Sequence, residues 1–381
     1  MQPLKKKEYL EDNRKGFAIA IVLLVTTLVI VLSLEFNYEM RIDANITINA
    51  MDSLKAYYLA KSGIEAGIFA IRMDFKEDKN KNSFVDSFGE IWNIPSVSIP
   101  LGNGFITGSI SDESGKVNLN TFIQDEEGKK KQGGKSESKA TQMMNVVRSI
   151  LENVPVKSEE SPGEIAHAMM EWKGDLFDDD PALESYYSNL DESYESKWDY
   201  FDDTSELMLI KGVNKDFYFQ KKKSGIEKVP QGLSDIQNND KSKNKKDSKK
   251  SFYSLEDVFT VYSDDPDNND FKVNINTAPR EVIRALHSQI DESMVERIIE
   301  RQRSSDPFKS VQEAGKDQSL NAVFEDEKDG LKGIKNLIDV KSYFFKLVAT
   351  GTSGNISKTI EAIIYRNPSD GSINIKSWAV F

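Results

Sequence analysis

The chain contains no cysteine and only two histidines in 381 residues. The absence of cysteine excludes disulfide bonds, thiolate zinc sites and cysteine nucleophiles. Two histidines do not suffice for a multi-histidine centre, so any bound metal is expected to be a hard cation held by oxygen. The sequence also lacks a nucleophile–base pair, a glycine-rich phosphate loop and a zinc motif, which argues against an enzyme. We expect Asn118, Asn120, Asn274 and Asn276 to bond local backbone rather than to act in catalysis.

Positive charge is also in deficit, because 62 acidic residues outnumber 50 basic residues and the net charge is −12. This balance argues against a protein whose whole surface binds nucleic acid. Two lysine-rich stretches, 125–141 and 221–250, lack apolar periodicity and are predicted to be mobile insertions. We interpret their lysines as solvated loop residues rather than as a patch for nucleic acid or lipid.

The long hydrophobic run of the chain extends from Phe17 to Leu34 and contains no charged residue, proline or glycine. At about 1.5 Å per residue, these helical residues would span roughly 27 Å, close to the thickness of a bilayer core. Basic residues precede the run, so the positive-inside rule places residues 1–16 in the cytoplasm and the rest of the chain beyond the membrane.

Three interpretations of this N-terminus compete. A secretory signal needs a small-residue cleavage site after Leu34, and none is present there. A plain membrane anchor remains open. The third interpretation fits better, because Arg14-Lys15-Gly16 stands directly before Phe17 and the apolar helix, an order that resembles the class III signal of type IV pilins and pseudopilins. This resemblance implies that a prepilin peptidase cuts between Gly16 and Phe17 and methylates the new N-terminus.

Ile21 occupies the fifth position of the predicted mature chain, where most pilins carry glutamate. A charge within the bilayer is costly unless it is compensated, so that glutamate is thought to pair with the N-terminal amine of a neighbouring subunit. A subunit with isoleucine lacks this contact, which suggests a tip or initiating position in a fibre.

The helix is predicted to continue beyond the membrane, because apolar residues recur at helical spacing and no proline occurs between Glu35 and Met73. A continuous helix from Phe17 to about Met73 would be roughly 85 Å long. Small residues form a seam for close packing: Ala60, Ser62, Gly63, Ala66 and Gly67. Larger side chains of the same stretch are expected to contact other subunits: Tyr57, Tyr58, Ile64 and Ile68.

Four later segments carry a more specific resemblance. They are ISDESGKVNLN at 110–120, the acidic block from Trp172 to Tyr187, the segment 205–213, and VNINTAP at 273–279. Together and in this order they are similar to the type II secretion system protein K family, the large minor pseudopilins. The isoleucine at position 21 also fits, since that family lacks the glutamate. The resemblance covers nearly the whole chain apart from the two lysine-rich insertions.

The resemblance implies an α+β fold: a pilin-like long N-terminal helix packed on a small antiparallel sheet, with a large inserted helical domain of two SAM-like or helix-hairpin-helix-like pieces. The expected organisation follows the chain: a leader at 1–16; an N-terminal helix at 17–73, transmembrane at 17–34 and periplasmic at 35–73; a first part of the head at 74–122; a first helical piece at 123–271; a second at 272–340; and C-terminal strands of the head at 341–381.

The densest group of carboxylates lies between Asp175 and Glu184. Calcium takes six to eight oxygen ligands, and closely spaced aspartates with a glutamate supply several. A solvated acidic loop is the alternative, but the resemblance implies calcium in the helical domain, where members of the family bind it. The expected ligands are Asp175, Asp178, Asp179, Asp180, Glu184, Asp202 and Asp203.

Segments 205–213 and 276–286 resemble helix-hairpin-helix units, which bind DNA phosphates. Asp199, Asp202 and Asp203 flank the first hairpin and disfavour phosphate. We therefore expect no nucleic-acid partner.

The resemblance implies a minor pseudopilin that caps the tip of the type II secretion pseudopilus and supports export of folded proteins across the outer membrane. The chain would be a single-pass protein of the inner membrane with its C-terminal domain in the periplasm. Expected partners are other minor pseudopilins, the prepilin peptidase and the inner membrane. The alternative is a minor type IV pilin or competence pseudopilin that contacts DNA or a surface. A third interpretation is an anchored periplasmic domain whose N-terminus stays uncut.

Overall fold

The computed structural model describes residues 6–93, 98–121, 139–174, 180–220, 253–263, 272–325 and 333–381. Helix α1 (Lys6–Lys81) is 76 residues long and exceeds the predicted range of 17–73 at both ends. No proline interrupts it, and it continues until Asn82, whose φ of 50° is the left-handed conformation in which helices commonly end. Lys79 and Lys81 stabilise the last turn through the helix dipole.

The first half of α1 stands apart from the rest of the fold. Every side chain from Phe17 to Leu34 is exposed. By its length and composition this helix is able to cross a membrane. The arrangement is compatible with a single-pass membrane anchor.

The second half of α1 packs on an antiparallel sheet of five strands in the order β1-β2-β7-β8-β9. The strands are β1 (Ser98–Leu101), β2 (Gly104–Asp112), β7 (Phe344–Ser353), β8 (Ile356–Arg366) and β9 (Ile373–Val380), and β3 to β6 belong to the insert described below. Buried residues alternate along β7, where Phe345, Leu347 and Ala349 join the core beneath α1. The predicted long helix on a small antiparallel sheet is confirmed.

Helix α1 lies very close to β7 because small residues occupy both sides of the contact. A Cβ atom built on Gly351 would lie 2.1 Å from the carbonyl oxygen of Ala56, and one on Gly63 would lie 2.7 Å from the Cβ of Ala349. Ala56 and Ala60 have no exposed surface. The two backbones are therefore in direct contact, with no room for a side chain between them.

The predicted contact face of α1 needs a correction. Ile64 and Ile68 are only 1% and 5% exposed, and they pack in the core between α1 and the sheet. The helical period places them on the same side as Ala60, so they are not available to another subunit. Tyr58 is 57% exposed, whereas Tyr57 is half-buried against the core.

A helical insert interrupts the sheet between β2 and β7. Its helices are α2 (Lys139–Asn153), α3 (Pro162–Lys173), α4 (Pro181–Ser188), α5 (Lys215–Phe219), α6 (Arg280–Ala285), α7 (Glu292–Gln302), α8 (Val311–Ala314) and α9 (Asn321–Phe324). Short strands are β3 (Val117–Asn118), β4 (Phe259–Thr260), β5 (Val273–Asn274) and β6 (Ile338–Asp339), and 3-10 turns occupy Leu119–Thr121, Thr204–Leu209, Leu255–Asp257 and Ile334–Asn336.

The insert has a hydrophobic core separate from the core beneath α1. The mobile insertion is predicted to extend from 125 to 141, but its C-terminal boundary is wrong because α2 already begins at Lys139. The rest of that stretch, and the whole of 221–250, lie outside the described residues.

The insert uses one backbone device twice, at Val117-Asn118-Leu119-Asn120 and at Val273-Asn274-Ile275-Asn276. Each valine–asparagine pair forms a short parallel ladder, β3 with β4 and β5 with β6. In each copy the first asparagine accepts the N–H of the second, at 2.7 and 2.9 Å. The second asparagine pairs with both backbone groups of a distant residue: Phe201 for Asn120 and Phe308 for Asn276. The asparagines thus bond backbone groups as expected, but most of these bonds are long-range rather than local.

We expect Gly351→Ala to lower the free energy of unfolding by about 1–3 kcal/mol, the usual cost of overpacking. The added methyl group would meet the backbone of α1, which cannot yield without losing helical hydrogen bonds. Denaturant unfolding of the full chain in detergent, followed by circular dichroism, measures the change. Gly89→Ala is the control, since the nearest atom to its Cβ is the Ser87 Oγ at 3.7 Å. Equal losses in the two variants would contradict the direct backbone contact.

Candidate functional site

The candidate functional site lies where helices α3 and α4 of the insert meet. Helix α3 begins at a capping box formed by Ser161 and Glu164 and ends at Gly174, whose φ is 81°. Helix α4 begins at Pro181, and the side chain of its N-cap residue Asp180 accepts the N–H of Ala182 at 2.9 Å. These caps fix the C-terminal end of α3 and the N-terminal end of α4. Glu171 lies in the last turn of α3, and Asp180 lies at the start of α4.

Three carboxylates converge at these helix ends. Glu171 has no exposed surface and accepts the N–H of Asp180 at 3.1 and 3.2 Å through its two oxygens. The Oδ2 of Asp180 lies 3.2 Å from the Nε2 of His167. Glu184 accepts the N–H of Ser196 at 3.4 Å. One donor atom each of His167, Glu171 and Asp180 lies within 4.8 Å of the others.

The carboxylates of this cluster differ in their electrostatics. Burial raises the pKa of Glu171, and the charges of Asp180 and Glu184 raise it further. The pKa of Asp180 is lowered, chiefly by the hydrogen bond from the N–H of Ala182 and also by His167. The positive charge near Glu171 is thus too small to compensate its ionised carboxylate fully.

The hydroxyl of Ser196 is buried and has no hydrogen-bond partner within the described part of the chain. It belongs to the residue whose N–H binds Glu184. A hard cation binds oxygen ligands and supplies positive charge. A buried carboxylate whose charge is not fully compensated, with an unpartnered hydroxyl in the same part of the insert, fits such a cation.

The predicted calcium ligands fall into three groups. Asp180 and Glu184 lie in the cluster, and Asp175, Asp178 and Asp179 lie outside the described residues. The remaining two have other partners. The carboxylate of Asp202 is 2.7 Å from the Nζ of Lys197, and Asp203 caps the turn Thr204–Leu209.

Sequence reasoning missed Glu171 and Ser196. Glu171 stands four residues after His167, so both lie on one face of α3, and this spacing was a usable signal. Ser196 lies in an irregular segment, and no pattern in the sequence marks it.

The first hairpin with a resemblance to DNA-binding units is covered by the chain itself. A Cβ on Gly212 would lie 2.8 Å from the Cβ of Glu160, and Ser158 donates to the carbonyl of Gly212. Lys211 pairs with Glu160 at 3.3 Å. An acidic side chain thus occupies the face on which a phosphate would bind, which disfavours nucleic acid there.

The predicted processing residues lie within α1. Gly16 has open space around it, with no atom within 4 Å of a Cβ built there. Phe17 is 69% and Ile21 47% exposed. All three lie at the N-terminal end of the apolar run, away from the sheet.

Two regions of the chain match models of "Type II secretion system (T2SS), protein K": residues 115–223 and residues 273–334. Each match begins at or next to one copy of the asparagine device. No curated protein sequence matches the chain.

The fold is similar to that of a chain in the crystal structure of the GspK-GspI-GspJ complex from the type 2 secretion system of enterotoxigenic Escherichia coli. The TM-score is 0.62 at 16% sequence identity, and the match covers 88% of this chain and 99% of that chain. The likeness shows a shared fold of long helix, sheet and helical insert. The two family matches, in both halves of the insert, lead to one conclusion: the chain belongs to the type II secretion system protein K family.

Proposed function

We propose that this protein is the minor pseudopilin that caps the tip of the type II secretion pseudopilus and so supports export of folded proteins across the outer membrane. The observation that carries the proposal is the position of the insert. The chain leaves the sheet at Asp112 and returns at Phe344, and Asp112 pairs with Phe345 at the same end of the sheet. This function is that of a structural component rather than of an enzyme.

That end of the sheet lies beside the C-terminal end of α1. Arg366, at the end of β8, donates to Asp74 at 3.0 Å. At the other end of the sheet, Ser353 bonds Asp52 at 3.0 Å. The insert therefore lies at the end of the head farthest from the apolar run Phe17–Leu34, where it would obstruct a subunit stacked above it.

Partners would then lie below the insert, as other minor pseudopilins that contact the N-terminal helix and the head. The outer face of α1 supports this arrangement, because Leu54, Tyr58 and Phe69 are each more than half exposed there. Exposed apolar side chains along a helix favour packing against another helix.

The same proposal places the N-terminus in the inner membrane with the head in the periplasm. A prepilin peptidase would cut between Gly16 and Phe17 and methylate the new N-terminus. Ile21 would leave the mature helix without the charge that pairs with a neighbouring amine, in keeping with a tip position. The exposed apolar run and the open surroundings of Gly16 support this assignment.

Mass spectrometry of the protein purified from its native membrane tests the processing. We expect a mature chain that starts at N-methylated Phe17. In Gly16→Leu the same analysis is expected to find the intact leader, because the residue before the cut has changed. An intact Met1 in the wild type, or a cut beyond Leu34, would remove the fibre assignment.

A single label tests the tip position. The chain has no cysteine, so Glu300→Cys on the exposed surface of α7 provides a unique site for a gold particle. In electron micrographs of assembled fibres we expect gold at one end only, because a capping subunit occurs once. Gold spaced along the fibre would contradict capping.

Deletion of the protein should stop enzyme secretion. Loss of DNA uptake or of adhesion instead would favour a type IV pilin or competence role.

We propose further that calcium is bound at the junction of α3 and α4, with Glu171, Asp180 and Glu184 as ligands within the described residues. The buried carboxylate of Glu171 and the orphaned hydroxyl of Ser196 support the proposal. Calcium would compensate the negative charge at the two helix ends and so stabilise their junction.

Thermal unfolding of the full chain in detergent, with and without calcium, tests this site. A ligand at a hundred times its Kd adds about 2.7 kcal/mol of stability, so we expect the wild type to melt several degrees higher with calcium. Asp180→Asn keeps a capping residue but removes the charge, and it should lose most of the calcium effect. Glu300→Gln, on α7, is the control and should keep it. Identical melting of the wild type with and without calcium would exclude the site.

A further inference from the structure

A second cluster of buried charges lies at the base of the insert, centred on Arg366. Its guanidinium donates to Asp74 of α1 at 3.0 Å, to Asp86, and to the carbonyl of Ser342 at 2.8 Å. Arg366, Asp74 and Asp86 are 5%, 3% and 1% exposed. One side chain thus connects the helix α1, the segment that follows it, and the point at which the chain returns from the insert.

Asp86 and Asp112 fasten the insert at the same place. Asp86 accepts the N–H of Ser342 at 2.7 Å, and its carbonyl accepts the side chain of Asn274 at 3.1 Å. Asp112, at the end of β2, accepts the hydroxyls of Thr277 and Ser342 and the N–H of Ser114. Both connections between the sheet and the insert are therefore held by buried carboxylates.

Negative charge outnumbers positive charge in this cluster. Glu90, which accepts the indole N–H of Trp92 at 2.7 Å, adds a further carboxylate next to Asp74 and Asp86. We call Asp74, Asp86, Glu90, Asp112 and Arg366 the basal cluster. The other titratable groups that interact with it are Asp78 and Lys81 of α1, Asp339 of β6, and Tyr343.

Burial is the main cause of the altered pKa values in the basal cluster. It raises the pKa of Glu90 to about 9 and that of Asp74 to about 7, with the charge of Asp86 adding to both. The pKa of Asp112 is raised to about 6, and that of Asp86 is also raised. Desolvation disfavours the charged carboxylates more than the single guanidinium favours them.

We propose that the basal cluster is a pH-sensitive latch, which holds the insert against α1 when Asp74 and Glu90 carry protons and loosens when they ionise. Protonation of Asp74 and Glu90 leaves Asp86 and Asp112 as the buried carboxylates of the cluster that can carry charge, and Arg366 as its single cation. Ionisation of Asp74 and Glu90 adds two further negative charges that must share that one guanidinium. The insert and α1 then separate most readily at the connections 112–116 and 340–343.

The direction of the pH effect follows from the raised pKa values. In the closed state Asp74 and Glu90 bind protons more tightly than they do in water. Their contribution to stability is therefore fully present below the ordinary carboxyl pKa of about 4 and is lost as the pH rises toward 7 and then 9. The closed arrangement of the insert and α1 is therefore more stable at pH 6 than at pH 8.

Hydrogen–deuterium exchange of the full chain in detergent tests the latch. After correction for intrinsic exchange, the opening of peptides that contain 112–116 and 340–343 should increase at least about tenfold from pH 6 to pH 8. Peptides of α7 serve as the internal control and should change little. An increase at the two connections no larger than that of α7 would overturn the proposal.

Two variants distinguish an effect of proton binding from a purely structural role of these side chains. Glu90→Gln keeps an oxygen for the Trp92 N–H but cannot ionise, and it should remove most of the pH dependence while the protein stays folded. Asp74→Asn together with Glu90→Gln should reduce the change to less than about twofold. Unaltered pH dependence in Glu90→Gln would overturn the assignment to these carboxyls. So would closure that depends on added calcium and is lost in EDTA, because a cation would then replace the protons.

Discussion

The direct contact between α1 and β7 is the constraint on which the rest of the structure depends. Gly351 of the strand leaves no room for a Cβ atom beside the backbone of Ala56, and Gly63 of the helix packs against the methyl group of Ala349. This contact fixes how far along α1 the sheet lies. Because β2 ends and β7 begins at the same end of the sheet, this contact also fixes the position along α1 at which the insert leaves the sheet. The distance from the apolar run to the insert is thus set by a few small residues.

The insert is stabilised by the same asparagine device in both of its halves, but the halves differ in charge. In the second half, Arg301 lies between Glu313 and Asp317, so its carboxylates have a cation from the chain. In the first half, burial and the charges of Asp180 and Glu184 raise the pKa of Glu171. One structural framework therefore supports a half in which an arginine compensates the carboxylates and a half in which a buried carboxylate has less positive charge around it.

The two acidic clusters of the chain differ in how their negative charge is compensated. The carboxylates at α3 and α4 lie at helix ends, where Asp180 keeps part of its surface exposed and a cation has access. In the basal cluster Asp74, Asp86, Asp112 and the cation Arg366 are buried between α1, the sheet and the insert, whereas Glu90 is half-buried. Enclosed carboxylates without enough positive charge retain protons, whereas accessible ones attract ions.

The sequence by itself determined the features that depend on neighbouring residues: the apolar run, each end of α1 to within about three turns, the C-terminal strands, the presence of a helical insert, and the acidic stretch that holds Asp180 and Glu184. It did not reveal Glu171, Ser196 or the basal cluster, and it assigned Ile64 and Ile68 to the wrong face of α1. Asp86 and Arg366 are 280 residues apart, and no local pattern links them. Only the tertiary structure decided which apolar face is buried and which carboxylates meet, because burial and charge compensation arise from residues that become neighbours when the chain folds.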